Sequence, residues 1–238
     1  MTWPLLIFFR ILFAALAAAM SVVSAASVTG QVTLLMRGDG AHSASDPATT
    51  VVWLSPFSPD TAAPHTLPHK RMLQKDKHFE PHILPVEAGT VVDFPNLDPI
   101  FHNAFSNFDG QLFDIGLYPP GSSRSIRFQR EGLVRVFCNI HPTMSAVIVV
   151  LATPFFATTV QDGRYTLLNV APGQYKLHFF QERATSETLD QLTQAITVTN
   201  SALDLGNTKI WAAAYIPTHH KNKYGRDYPP ESSGVTYH

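Results

Sequence analysis

Apolar and polar residues along most of this chain alternate with a period of two, in runs short enough for β-strands and too short for helices. Such runs occupy Val28 to Leu35, Thr50 to Leu54, Thr90 to Phe94, Ser125 to Phe128, Leu133 to Cys138, Ser145 to Leu151, Tyr165 to Val170 and Tyr175 to Phe180. Turn-forming pairs and triplets separate many of them: Asp109-Gly110, Pro119-Pro120-Gly121, Asp162-Gly163 and Pro172-Gly173. No long segment holds a helical period. Glu187 to Ile196 comes nearest, and it predicts a short turn or helix. The expected fold class is therefore all-β.

The first 26 residues break the alternation. They carry one charge, Arg10, in a run of Leu, Ile, Phe and Ala that ends at Val23-Ser24-Ala25-Ala26. An apolar core closing on small residues predicts a secretory signal peptide over 1–26, cleaved after Ala25 or Ala26. An uncleaved anchor is the rival reading. It is disfavoured because Arg10 leaves an apolar stretch of only about 15 residues, against the roughly 20 a membrane span requires. Without the leader, 16 basic residues face 18 acidic ones, a formal charge of −2. That near-neutral balance gives no sign of nucleic acid or anionic membrane as a partner. The expected location is the periplasm or the exterior, with no stable membrane insertion after cleavage.

Export makes the cysteine count informative. The chain holds one cysteine, Cys138. Exported proteins tend to pair their cysteines, so an odd one calls for a reactive thiol, an intermolecular bond or a metal. It opens the run Cys138-Asn139-Ile140-His141-Pro142-Thr143-Met144, a C-x2-H-x2-M spacing between two strand-like segments. His102, in Phe101-His102-Asn103, lies 36 positions upstream at the close of another strand-like segment. Alone, a cysteine or methionine is usually core filler and a loop histidine is usually solvated. A thiolate, two imidazoles and a thioether at this spacing instead suit copper. Zinc gains little from a thioether, which argues against it here. A binuclear copper centre would need a second cysteine. The expected metal ligands are thus His102, Cys138, His141 and Met144, around one mononuclear type 1 copper.

The wider stretch from Glu80 to Asp98, with His102-Asn103 and Val136 to Met144, resembles a cupredoxin of the plastocyanin and amicyanin type. The short loop with Pro142 after the second histidine is most similar to amicyanin, and the wider phrase resembles secreted proteins labelled methylamine-utilisation or plastocyanin-like. The resemblance covers about residues 70 to 152 and implies a Greek-key β-sandwich. It gives the same four ligands, makes Asn103 the residue that ties the first ligand loop to the cysteine loop, and places Pro142 beside the cofactor. The segment is shorter than a usual cupredoxin, and its first strand is hard to place.

After Leu151 the character changes. Gln161 to Leu177 is similar to the second half of a carboxypeptidase regulatory-like or transthyretin-like sandwich, which implies a second small β-sandwich of Ig/transthyretin-like type. Its usual first half is missing there, while Val28 to Leu34 and Thr50 to Leu54 look like its opening strands. The cupredoxin-like segment is then an insertion between two halves of one sandwich. The alternative is that residues 27–56 supply the missing first strands of the cupredoxin itself. The expected divisions are leader 1–26, N-terminal strands 27–56, linker 57–69, copper domain 70–152, second sandwich 153–212 and a polar, disordered tail 213–238.

His219 and His220 in that tail invite a metal reading, but adjacent histidines in a polar segment are more often solvated. His65, His69, His78 and His82 have no thiolate beside them in sequence and receive no role. No Ser/His/Asp order, paired catalytic carboxylates or phosphate loop stands out, so the chain is not expected to be an enzyme. One mononuclear copper site implies an exported carrier of single electrons, meeting a redox protein such as a c-type cytochrome or a periplasmic dehydrogenase. The other function it allows is a copper-binding module for storage, delivery or stabilisation of the fold.

Overall fold

Why Ser145 to Leu151 has almost no polar side chain becomes clear from what covers it. In the computed structural model, which describes residues 25–36, 49–58, 66–107, 110–212 and 220–228, both faces of this strand are buried. Ala146, Ile148 and Val150 point into one core with Val92, Phe94, Phe128 and Val136. Val147, Val149 and Leu151 pack against Val51, Ile83 and Phe180 in another. A period of two sends alternate residues to opposite faces, so a doubly covered strand loses its alternation.

The described chain is nearly all β, 53% strand and 4% helix. In order it runs β1 (Ala26–Met36), β2 (Val51–Pro56), β3 (Lys70–Arg71), β4 (Leu73–Lys75), β5 (His78–Glu80), β6 (Ile83–Glu87), β7 (Val91–Pro95), β8 (Phe105–Ser106), β9 (Phe113–Asp114), β10 (Ser123–Arg127), β11 (Gly132–Phe137), β12 (Ser145–Leu151), β13 (Phe156–Thr158), β14 (Arg164–Val170), β15 (Gly173–Phe180), α1 (Ser186–Leu192), β16 (Gln194–Val198) and β17 (Leu203–Ala212). The leader, apart from Ala25 and Ala26, lies outside the described residues, as do 59–65 of the linker.

Two sheets, in the orders β6-β12-β11-β8-β9 and β10-β7-β3, enclose the first core. Two more, β14-β1-β17 and β13-β2-β15-β16, enclose a core of Val28, Val52, Leu54, Tyr165, Leu167, Tyr175, Leu177, Phe179 and Ile210. Thus the N-terminal strands pair with strands more than a hundred residues later. Gly30 lies opposite Tyr165, and Leu54 opposite Leu177. Neither β1 nor β2 joins a sheet of the segment 70–152 among the described residues. Gly163, in the predicted Asp-Gly turn, has φ +80° and sits hard against the backbone of Val32, where a side chain has neither room nor a relaxed conformation.

His82, given no role from sequence, bridges the two pairs of sheets. Its Nε2 lies 2.7 Å from Glu182 Oε2 and its Nδ1 3.0 Å from the carbonyl oxygen of Ser145, the first residue of β12. Burial raises the pKa of Glu182, but the hydrogen bond and charge of His82, with Arg135 and Arg183, outweigh it and hold the carboxyl below its ordinary value. A depressed carboxyl stabilises the fold above the unfolded pKa and loses that contribution as the pH falls through the folded one. Glu182→Gln should therefore cost about 1 kcal/mol at pH 6, the partly exposed pair being worth little more than that. Urea unfolding at pH 6 and pH 3 checks this; a penalty that persists undiminished at the lower pH contradicts it.

Candidate metal centre

Three elements of the first pair of sheets converge at one end. His102 sits in the loop between β7 and β8, and its backbone pairs with Tyr118 in both directions, N–H to carbonyl at 3.2 Å and carbonyl to N–H at 2.9 Å. Cys138 follows the last residue of β11. The loop from it to β12 is closed by the Cys138 N–H donating to the Met144 carbonyl and the Met144 N–H donating to the His141 carbonyl, both at 3.2 Å. A seven-residue loop pinned twice on itself holds its side chains in one arrangement.

Three of the four expected donor groups come together. Cys138 Sγ lies 3.8 Å from His102 Nδ1 and 3.6 Å from His141 Nδ1. All three donor atoms fall within 4.8 Å of one another, and the two sulfur–nitrogen separations suit donors around one ion with bonds near 2 Å. The two imidazole centroids are 4.7 Å apart. His102 and Cys138 are fully buried, whereas His141 is half-buried, so it is the ring that reaches towards solvent. Met144 is wholly buried in the same core as Cys138.

The surroundings disfavour charge on all three groups, keeping the imidazoles neutral. Burial pushes the Cys138 thiol up, while the backbone N–H groups of Ile140, Asn103 and His141 pull the other way by stabilising a thiolate. Burial lowers the pKa of His102 more than Asp98 raises it. His141 is brought down to about 4 by burial and by the neighbouring positive charges of His102 and Lys77. Both rings are thus neutral near pH 7, with their lone pairs free to bind.

Asp98 is a site residue that the sequence reading missed. Its Oδ2 lies 2.7 Å from His102 Nε2, the nitrogen facing away from the sulfur. The N–H groups of Asp76 and Lys77 also donate to this carboxylate, at 2.6 and 2.9 Å. Burial alone would raise its pKa, but these donors and His102 hold it below the ordinary range. A carboxylate on the far nitrogen fixes the tautomer and ring orientation and makes Nδ1 a better donor. The i,i+4 spacing of Asp98 and His102 was visible in the sequence, but in a loop that spacing does not by itself imply contact.

Asn103 contacts the cysteine loop through its backbone and β9 through its side chain. Its backbone N–H interacts with Cys138, but its side-chain amide donates to Asp114 Oδ1 at 2.8 Å. Pro142 is partly exposed beside His141, and Thr143 is exposed. His69 and His78 stand apart, His69 beside Asp93 and His78 beside the carbonyl of Asp76. His65 and His219 lie outside the described residues.

The polar composition of 213–238 predicts disorder, and for residues 220–228 that expectation needs correcting. These residues pack on the cysteine loop: His220 is only 8% exposed and stacks on Phe137 at 4.2 Å. An aromatic seat and fixed hydrogen-bond partners order a segment whose own composition would not. Residues 213–219 and 229–238 lie outside the described residues.

Three solved structures of copper proteins align with part of the chain. A purple cupredoxin from Nitrosopumilus maritimus aligns over 34% of this chain and 99% of its own, at 22% identity and a TM-score of 0.32. A copper-containing nitrite reductase from Thermus scotoductus aligns over 41% of this chain but only 25% of its own, at 26% identity and a TM-score of 0.34. A variant of amicyanin, in its Cu(I) form, aligns over 42% of this chain and 98% of its own, at 19% identity and a TM-score of 0.34. No family model matches the chain, and no curated protein does. With likenesses this partial, the reading of the site rests on its own geometry.

Among the described residues no helix is long and apolar enough to cross a membrane.

Proposed function

We propose that this chain is an exported blue (type 1) copper protein that carries single electrons between periplasmic redox partners. The observation that carries the reading is the convergence of His102 Nδ1, Cys138 Sγ and His141 Nδ1 within 4.8 Å in a buried pocket. Met144, buried in the same core as Cys138, is read as the weak fourth ligand, so that His102, Cys138, His141 and Met144 would hold one ion. Bound there, copper would supply one reversible electron in a softly ligated site.

The chain's own residues do the rest. Asp98 and the doubly closed ligand loop keep the donors in place, which suits both oxidation states to a single geometry. The apolar core excludes water from the sulfur. His141 reaches the surface between Ile140 and Pro142, and large apolar side chains stand exposed on the loops leading to the other imidazole: Leu97 next to Asp98, Phe101 next to His102 and Leu117 next to Tyr118. Such a rim suits brief docking of a redox protein such as a c-type cytochrome or a periplasmic dehydrogenase. We read the second pair of sheets as a carboxypeptidase regulatory-like sandwich with the copper segment inserted in it, supported by the pairing of β1 with β14 and of β2 with β15.

A copper store or delivery protein is the other reading of the same ligands. It calls for an exchangeable site, and full burial of Cys138 and Met144 argues for retention instead. Stopped-flow mixing of the copper-loaded protein with a small c-type cytochrome and with an apo copper acceptor separates the two. A carrier exchanges electrons quickly and gives up metal slowly. Pro142→Glu, which places a charge beside His141 without touching a donor atom, should slow the electron exchange at least about tenfold with little change in colour, because docking is disturbed and the ligands are not. Rapid metal transfer together with sluggish electron exchange towards every cytochrome tried would overturn the carrier reading.

A further inference from the structure

We propose that residues 220–228 form a strap that positions the metal-binding loops from outside the sandwich, with Tyr228 and Lys223 as its positioning residues. The inference builds on the copper reading for its purpose but not for its geometry.

The strap reaches each ligand loop by a separate anchor. Tyr228 Oη donates to the carbonyl oxygen of Cys138 at 2.7 Å, which fixes the peptide that carries the thiol. Burial, reinforced by the nearby Cys138, pushes the phenol pKa upward, so the hydroxyl stays a donor. The backbone N–H of Lys223 donates to Asn139 Oδ1 at 2.9 Å, one residue further along the same loop. Lys223 Nζ donates to Asp114 Oδ2 at 2.7 Å, and Asp114 Oδ1 in turn accepts from the side chain of Asn103, next to His102. The chain Asn139–Lys223–Asp114–Asn103 therefore joins the loop of Cys138 to the loop of His102 through the strap.

Its own folding supports this use. Asn222 Oδ1 accepts from the N–H groups of Tyr224 and Arg226, and the Asn222 N–H donates to the Arg226 carbonyl, so the turn that presents Lys223 is closed locally. His220 lies flat on Phe137, the last residue of β11, and its Nδ1 is 3.1 Å from Tyr228 Oη. Stacking seats the strap against the strand, and the hydrogen bonds set its register. A segment merely collapsed on the surface would not place three polar anchors on residues 114, 138 and 139. Two loops held by a third element resist the small movements that accompany metal loss or a change in oxidation state.

The test uses the full chain with Tyr228→Phe, Lys223→Gln, both together, and Lys223→Arg. In metal-free protein, amide hydrogen exchange should rise about five- to tenfold over residues 137–145 in Tyr228→Phe, as loss of one hydrogen bond implies, and should not change over β14 and β15. The double variant should exceed either single one, and Lys223→Arg, which keeps a cation on Asp114, should stay near the parent. In copper-loaded protein the double variant should lose metal to a chelator at least about tenfold faster and show a shifted reduction potential. Exchange over 137–145 within twofold of the parent in the double variant overturns the proposal, and so does a uniform rise over the whole fold. A parent protein that takes up no copper removes the copper reading, while selective loosening of 137–145 still supports the strap.

Discussion

Cys138→Ser is expected to abolish the intense visible absorption of the copper-loaded protein and to weaken copper binding at least about a hundredfold, while leaving the fold intact. A hydroxyl at this position is nearly isosteric, so the core packing changes little. What is lost is the soft anionic donor, because a serine hydroxyl remains protonated where a thiol can be a bound thiolate. The backbone N–H groups of Ile140, Asn103 and His141 stay aimed at the substituted atom, so the pocket retains its shape without its charge. Met144→Leu is the contrasting case. It removes a weak donor and keeps the volume, so copper should stay bound by His102, Cys138 and His141, with the reduction potential changed. Visible and electron-spin spectra with a metal titration check both variants. A Cys138→Ser protein that keeps its colour would mean that the metal sits elsewhere.

How much of this was legible in the sequence differs between the site and its frame. Cys138 and His141 stood out because their spacing places two donor types on one short loop with Met144, and His102 because a copper thiolate needs a second imidazole; the structure brings the donor atoms of His102, Cys138 and His141 together. Asp98 was not, since a carboxylate four residues before a histidine is common and only the loop conformation brings it to Nε2. The strap was not either. Lys221 to Tyr228 is polar and rich in charge, and nothing local reveals that Phe137 offers it a surface, as that contact joins residues more than 80 positions apart.

The frame shows the same division. All eight runs with strand-like patterning lie on observed strands, with ends displaced by a few residues. The missed strands include Leu73–Lys75, His78–Glu80, Ile83–Glu87, Phe156–Thr158 and Gln194–Val198, each of three to five residues, and others that are shorter or longer. Lys70–Arg71, Phe105–Ser106 and Phe113–Asp114 are two-residue ladders too short to carry a pattern. Leu203–Ala212 is long but largely exposed, and it gains its place by lying parallel to β1 over eight paired positions. Where backbone pairing rather than burial of one face fixes a strand, hydropathy carries little information. The short helix Ser186–Leu192 begins where a threonine, Thr185, accepts from the N–H of Thr188, and it ends before the sequence reading would have stopped it.

The double burial of β12 leads to the largest expected loss of stability. Val149 is 2% exposed and faces Val51, Ile83 and Phe180, on the side of the strand away from the core that holds Cys138. Val149→Asp would place a carboxylate between two sheets against Val51, Ile83 and Phe180, with Arg135 opposite Val147 rather than opposite the new carboxylate. Burying an unpaired charge costs several kcal/mol, or forces the group to take up a proton at neutral pH. The variant should lose at least about 3 kcal/mol of unfolding free energy at pH 7, and part of that loss should return below about pH 5, where the carboxyl is neutral. Because Ala146, Ile148 and Val150 face the other way, the damage should begin at the seam between the two pairs of sheets. Urea unfolding of a Trp211→Phe background, in which the emission of the folded sheets comes from Trp53 beside this seam, followed by tryptophan emission and separately by the absorption of bound copper, resolves the order. The fluorescence change should come first and the colour should be lost at higher urea. Coincident transitions at the parent midpoint would show that β12 is not covered on this face in solution.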